Sequence, residues 1–148
     1  MSHADDHTRA YLLFDQSELE YNFGAEHPMQ PRRLVALIDL LESSGLWQRS
    51  GETITSPPER VQLPLRPATD EELELVHTAD YIAAVKRLSL PEAEAGQQER
   101  NDLALRYGFG EGDTPALPGM HEAAALIAGG TLVALSAVMG LPAGGPAG

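Results

Sequence analysis

An α/β chain built mostly of helices, with one or two short strands, is what this 148-residue sequence predicts. Three observations point there. The short apolar runs "AYLLF" and "VQLPL" are cut off by an acid or held by a proline, as strands are; "LVALIDLLESSGL" carries apolar residues at three- and four-residue spacing; and an uncharged apolar stretch fills Ala123 to Met139. The length suits one ordinary domain, long enough to bury a core.

Residues 1–9 read as a flexible leader. "HADDH" sets His3 and His7 four apart, a spacing that could bind a metal on a helix, but the segment has no apolar face to hold one. It also lacks the apolar core of a secretory signal. Ala10 to Phe14 is expected as a buried strand ended by Asp15, and Asp15 to Gly24 as a loop. "YNFGAEHPMQPRRL", residues 21–34, then leads into a helix from Arg33 with Leu34, Leu37, Ile38, Leu41 and Leu46 on one face. Pro28 and Pro31 can precede or open that helix, and Gly45 stops it.

Between Ser50 and Pro67 the prolines at 57, 58, 64 and 67 leave room only for an edge strand at "VQLPL". "TDEE", Thr69 to Glu72, is a capping-box pattern, opening a short helix to about His77. A second helix runs from Thr78 to about Leu88 with Tyr81, Ile82 and Val85 inward, and the polar stretch 89–106 is a loop or an exposed helix. "YGFGEGDTPALPG", Tyr107 to Gly119, is a loop with special backbone angles.

The stretch from Ala123 falls short of the roughly twenty apolar residues of a membrane span. His121 and Glu122 flank it, and Gly129, Gly130, Thr131 and Ser136 interrupt its surface. A helix buried on most sides is therefore expected, with a single-span membrane protein the weaker reading. Each helical glycine costs about 1 kcal/mol relative to alanine. Close packing against a neighbour is expected to offset that cost. Residues 141–148 form a flexible Gly/Pro/Ala tail.

The net charge is −12, from 22 acids against 10 lysines and arginines, of which one, Lys86, is a lysine. Such a surface repels phosphates and anionic lipid, so neither nucleic acid nor a membrane surface is an expected partner. With no cysteine, disulfides, thiolate nucleophiles and zinc-thiolate sites are excluded, and the cytoplasm is the default location.

Three ordered segments carry a family resemblance: "FGAEHPMQPRRL", "ELVHTADYIAAV" and "YGFGEGDTPALPGMHEAAALIAGGTLVA". In order and spacing they resemble the N-terminal part of zinc-dependent deacetylases of the histone deacetylase superfamily, above all the bacterial acetoin-utilisation branch. The resemblance spans Ala10 to Met139 and implies that residues 10–140 are the N-terminal part of a three-layer α-β-α, arginase-like domain. In a complete enzyme it implies zinc and the hydrolysis of an acetyl-amide such as N-acetyl-lysine. The His-His pair, the Asp-x-His zinc ligands and the late tyrosine of the family have no counterpart here. Pro142 to Gly145, "PAGG", resembles the segment preceding the His-His pair, but Pro146, Ala147 and Gly148 follow it. No catalytic residue and no metal ligand is therefore assigned, and the chain alone is expected to be inactive.

Two residues keep a role through the resemblance. Asp113 matches the loop carboxylate that accepts hydrogen bonds from backbone N–H groups around a substrate acetyl-lysine; from the residues alone it reads as a turn aspartate. Arg33 matches an arginine near the channel by which acetate leaves; alone it reads as a helix-start cation facing solvent, with Arg32 an equal claimant. His27, His77 and His121 are expected to be structural. The competing reading is a non-catalytic, acidic helical module for binding or oligomerisation. An incomplete sheet would leave apolar faces uncovered and favour self-association.

Overall fold

The computed structural model describes residues 10–25, 27–47, 60–91, 96–110 and 113–141. The leader with His3 and His7, and the tail from residue 142, lie outside the described residues. Two strands and five helices make up the described chain: β1 Ala10–Leu12, α1 Arg32–Ser43, β2 Arg60–Gln62, α2 Asp70–Glu74, α3 Ala79–Leu88, α4 Gln97–Tyr107 and α5 Met120–Val138. β1 and β2 pair in parallel, Tyr11 opposite Val61, and Leu63 N–H extends the ladder to the Leu12 carbonyl at 3.2 Å. Parallel neighbours need a crossover. The chain segment carrying α1 supplies it. Both strands are shorter than the apolar runs that announced them.

The Asp15–Gly24 segment contains a 3-10 turn, Gln16–Leu19, closed by the Asp15 carboxylate. It accepts from Ser17 N–H at 2.9 Å and from the Ser17 hydroxyl at 2.6 Å. α1 starts at Arg32, one residue earlier than the periodicity indicates, with Pro31 at its N-cap, where a missing N–H costs no helix bond. Of the face expected inward, Ile38 is buried and Leu34 and Leu41 are half-buried, while Leu37 (47% exposed) and Leu46 (49%) turn outward because no described neighbour covers them. It ends at Gly45, whose φ of +67° lets Leu46 N–H return to the Leu41 carbonyl (2.9 Å) and Gly45 N–H to that of Glu42 (3.0 Å). That is a Schellman ending, which a residue with a Cβ would strain.

The capping box forms as read. Thr69 Oγ1 accepts from Glu72 N–H (3.2 Å), while the Glu72 carboxylate accepts from Thr69 N–H (2.8 Å) and takes a two-pronged ion pair from Arg66 (2.6 and 2.7 Å). Arg66 first, and Thr69 second, pull the Glu72 carboxyl down to about 2. α2 docks on α3 through Lys86, whose Nζ pairs with Asp70. α3 carries Ile82 and the fully buried Leu88 inward, while Tyr81 and Val85 are half-buried. Within the polar 89–106 stretch a helix forms from Gln97, α4, mostly exposed but with Arg100 buried and Leu103, Ala104 and Tyr107 half-buried, and Arg87 ties it to α3 through Glu99 at 2.7 Å.

α5 departs from expectation. Only the face bearing Met120, Ala125, Gly129, Gly130 and Val133 is buried, while Ile127 (60% exposed), Leu135 (52%) and Val138 (75%) face outward. Among the described residues it packs against the 3-10 turn and α3, and the Leu65–Ala68 segment lies over Gly129 and Gly130. Among the described residues it is the one helix long and apolar enough to cross a membrane. The glycines behave as read: Ala68 N–H donates to the Ala125 carbonyl at 2.8 Å, and a Cβ on Gly129 would meet the Arg66 carbonyl oxygen and lie 2.5 Å from the Ala68 nitrogen. A Cβ on Gly130 would meet a methyl of Leu65.

Candidate functional site

The segment before α1 is a knot of local bonds. Asn22 Oδ1 accepts from Gly24 N–H (2.9 Å), and the Gln30 side-chain amide donates to the Gly24 and His27 carbonyls. The Phe23 ring stacks on the His27 imidazole with centroids 4.6 Å apart and meets Tyr21 edge-on at 5.0 Å. His27 Nδ1 accepts from Met29 N–H at 3.1 Å, so its imidazole is bonded to backbone, as expected for a structural histidine.

This knot, the start of α1 and one flank of α5 enclose a cavity of about 580 Å³. Leu13, Phe23, Leu34, Leu65 and Ile127 give it a largely apolar wall. Arg33 is the one cationic side chain among the described residues that line it. Its Nη1 donates to the Met29 sulfur at 2.7 Å, a weak acceptor that leaves most of the guanidinium's capacity for a stronger one. Arg32 is absent from the wall, which separates two arginines that the sequence could not. Glu18 and Tyr21 also line the cavity, unforeseen in the sequence. Burial, followed by the nearby Asp15 charge, raises the Glu18 carboxyl, and burial raises the Tyr21 phenol.

Asp113 sits exposed in the loop between α4 and α5. Left-handed glycines bracket that loop, Gly108 at φ +76° and Gly119 at +78°. Gly110 N–H donates to the Thr114 carbonyl (2.9 Å), and the Thr114 hydroxyl to the Gly108 carbonyl (3.3 Å). Among the described residues no side-chain cap is built on the Asp113 carboxylate. A second hollow, about 820 Å³, opens at the α5 N-terminus, where His121 and Glu122 line it with Glu20 and Tyr21. Asp113 lines neither hollow, so the structure does not bring Arg33 and Asp113 to one wall.

His77 lies exposed against the Tyr81 ring, at 5.0 Å, and His121 is half-buried in the first turn of α5. Among the described residues no three His, Asp or Glu side chains are grouped to hold a metal ion. A zinc site of the hydrolytic kind needs three protein ligands and an open position, so these residues do not fit one and no step through zinc is theirs.

The family model described as the histone deacetylase domain matches residues 27–143, a segment that contains α1, the Arg33 position and the Asp113 loop. The chain belongs to the histone deacetylase family. Among its relatives is the acetoin utilization protein AcuC of Bacillus subtilis (strain 168), 39% identical over 128 residues, which cover 86% of this chain and 29% of the relative. AcuC of Staphylococcus aureus (strain MRSA252) is 32% identical over 130 residues, 88% of this chain and 29% of its own length. For AcuC of Staphylococcus xylosus the figures are 36% over 114 residues, 77% and 26%. The chain therefore spans less than a third of these relatives, and within the histone deacetylase family it corresponds to the acetoin-utilisation type.

Proposed function

We propose that the chain is the N-terminal portion, residues 10–140, of a three-layer α-β-α deacetylase domain. In complete form that domain hydrolyses an acetyl-amide such as N-acetyl-lysine to an amine and acetate. The match to the histone deacetylase domain across residues 27–143 carries this reading. Water adds to the acetyl carbonyl, the C–N bond breaks, and the proton goes to the leaving amine. In the complete family enzyme zinc would supply activation of that water and polarisation of the carbonyl, and no described residue of this chain is assigned to hold it.

The described residues serve the two ends of the reaction. Asp113 receives backbone N–H groups of the substrate on either side of the acetyl-lysine, a pair of charge-assisted bonds that fixes a flexible chain. Its exposure, free of a capping bond to its own loop among the described residues, supports this. Arg33 attracts the acetate product into the cavity beside α1, where an apolar wall strengthens the attraction of a guanidinium for a carboxylate. The chain alone is inactive, because the proton-moving and metal-holding groups of the family have no matching positions in it. The complete enzyme works in the cytoplasm.

The test pairs an assay with a titration. The 148-residue chain with zinc and an acetyl-lysine peptide should show no turnover; activity abolished by a chelator would overturn the assignment of inactivity. Acetate followed by amide NMR should shift Leu34 and Thr131, which line the cavity, and Arg33→Met should remove that response. Shifts that survive in Arg33→Met would sink the channel role.

A second reading, a non-catalytic module that associates with itself or a basic protein partner, draws on the exposed Leu40, Leu75, Leu105, Ile127 and Val138. Light scattering that finds a monomer across the accessible concentration range would remove it.

A further inference from the structure

Helix α5 begins without a side-chain cap of its own: Gly119 occupies the cap position at φ +78° and has nothing to offer the free N–H groups of the first turn. The cap comes from elsewhere. Ser89, 5% exposed at the end of α3, accepts from His121 N–H through its hydroxyl (2.8 Å) and from Gly119 N–H through its carbonyl (3.0 Å). The same hydroxyl donates to the Val85 carbonyl at 2.8 Å, so its direction is fixed. Ser89 is in turn gripped from α4: the guanidinium of Arg100, 6% exposed, donates at 2.9 Å to the Leu88 carbonyl and at 2.9 Å to that of Leu90, the residues on either side.

Both ends of the Asp113 loop thereby refer to one turn, Leu88 to Leu90, with Ser89 at its centre. α4, which launches the loop at Gly108, is fastened by Arg100 to the Leu88 and Leu90 carbonyls that flank Ser89; α5, which receives it at Gly119, is fastened to Ser89 itself. We infer that Ser89, held by Arg100, is the positioning residue for the Asp113 loop and sets where its carboxylate meets substrate. This rests on the reading of Asp113 as the substrate carboxylate. Both bonds leave one nitrogen, Nη1, whose two N–H groups are fixed in the guanidinium plane, whereas a lysine ammonium is a rotating point donor on a flexible stem.

Amide exchange and a ligand titration on the nitrogen-15-labelled chain test the two layers separately. Ser89→Ala should accelerate exchange at His121 and at the loop amides Phe109 and Gly110 by about tenfold, the loss expected for one buried hydrogen bond and the local opening it allows. The Ile82 amide, bonded to Thr78 within α3, should keep its protection. Ser89→Thr, which retains a hydroxyl, should restore the slow exchange, and Arg100→Lys should loosen the loop as Ser89→Ala does. With N-acetyl-lysine methylamide as probe, Ser89→Ala should raise the half-saturating concentration read at Thr114 by about tenfold, and Ser89→Thr should recover it. Loop exchange unchanged in Ser89→Ala, or Ile82 protection falling by the same factor as the loop, would overturn the positioning role. A native chain that ignores the probe while Ser89→Ala still loosens the loop would sink the substrate reading of Asp113 and leave the positioning of the loop standing.

Discussion

Gly129 shows how a residue without a side chain can be the least replaceable on its helix. Backbone atoms of Arg66 and Ala68 occupy the space a Cβ would need, and backbone cannot swing aside as a side chain can. Gly129→Ala should therefore destabilise by about 1–3 kcal/mol, the range for overpacking, against less than about 1.5 kcal/mol for Gly130→Ala, where a Leu65 methyl can move. Urea unfolding of the two variants beside the native chain measures both. Glu72 sets a pH dependence at the same scale. Its folded carboxyl titrates at about 2 against an ordinary value of 4.5, so the folded state binds the proton less readily than the unfolded state. The stabilisation is complete above about pH 4.5 and is lost as pH falls toward 2. Urea midpoints between pH 6 and 2.5 should fall across that window, and Glu72→Gln should flatten the fall. The Thr69–Glu72 cap was legible because its chemistry is local, a hydroxyl and a carboxylate three residues apart. Arg100 was not. Within a polar stretch nothing marks one arginine as the one that turns inward to carbonyls twelve and ten residues earlier in the chain.

At the scale of elements, signals held within one turn came through, a helix period showed its face in part, and signals needing a distant partner did not come through. α1 announced its Gly45 ending but its inward face in part, since Leu37 and Leu46 are exposed; Gly45→Ala should cost about 1 kcal/mol or more in the same unfolding assay because φ stays at +67°. The pairing of β1 with β2 had no local sign, since a parallel register is fixed across a crossover rather than by a turn. α5 was misjudged for a related reason. Its composition is apolar on all sides, but composition says nothing of how many neighbours arrive, and here one face is buried while Ile127, Leu135 and Val138 stay exposed. Ile127→Lys and Val138→Lys should consequently change unfolding free energy by less than about 0.5 kcal/mol each while shifting a concentration-dependent association toward monomer in light scattering. For the candidate site, the motif around Arg33 pointed to a wall, and the structure places Arg33, not Arg32, on a cavity, where the acetate titration tests it. The hollow itself, made by Leu13, Leu65 and Ile127 from three separate segments, could not be read from any of them alone.

For the whole molecule, the short parallel strand pair and the exposed face of α5 go together with a match that covers 86% of this chain but 29% of its Bacillus subtilis relative. As the N-terminal portion of a deacetylase domain, this chain would meet further strands and helices across those surfaces. The chain's net charge is −12 while the cavity wall carries the Arg33 guanidinium, so on the proposed reading acetate would be drawn by Arg33 at short range rather than by the molecule's overall field. The most direct measurement replaces the matching N-terminal segment of the Bacillus subtilis relative with residues 10–141 of this chain and assays acetyl-lysine hydrolysis beside the parent protein. A folded chimera should hydrolyse the substrate in a chelator-sensitive way, should lose most of that activity on Asp113→Ala, and should release acetate more slowly on Arg33→Ala. A folded chimera that is inactive beside an active parent, or one whose activity ignores Asp113→Ala, would contradict the assignment.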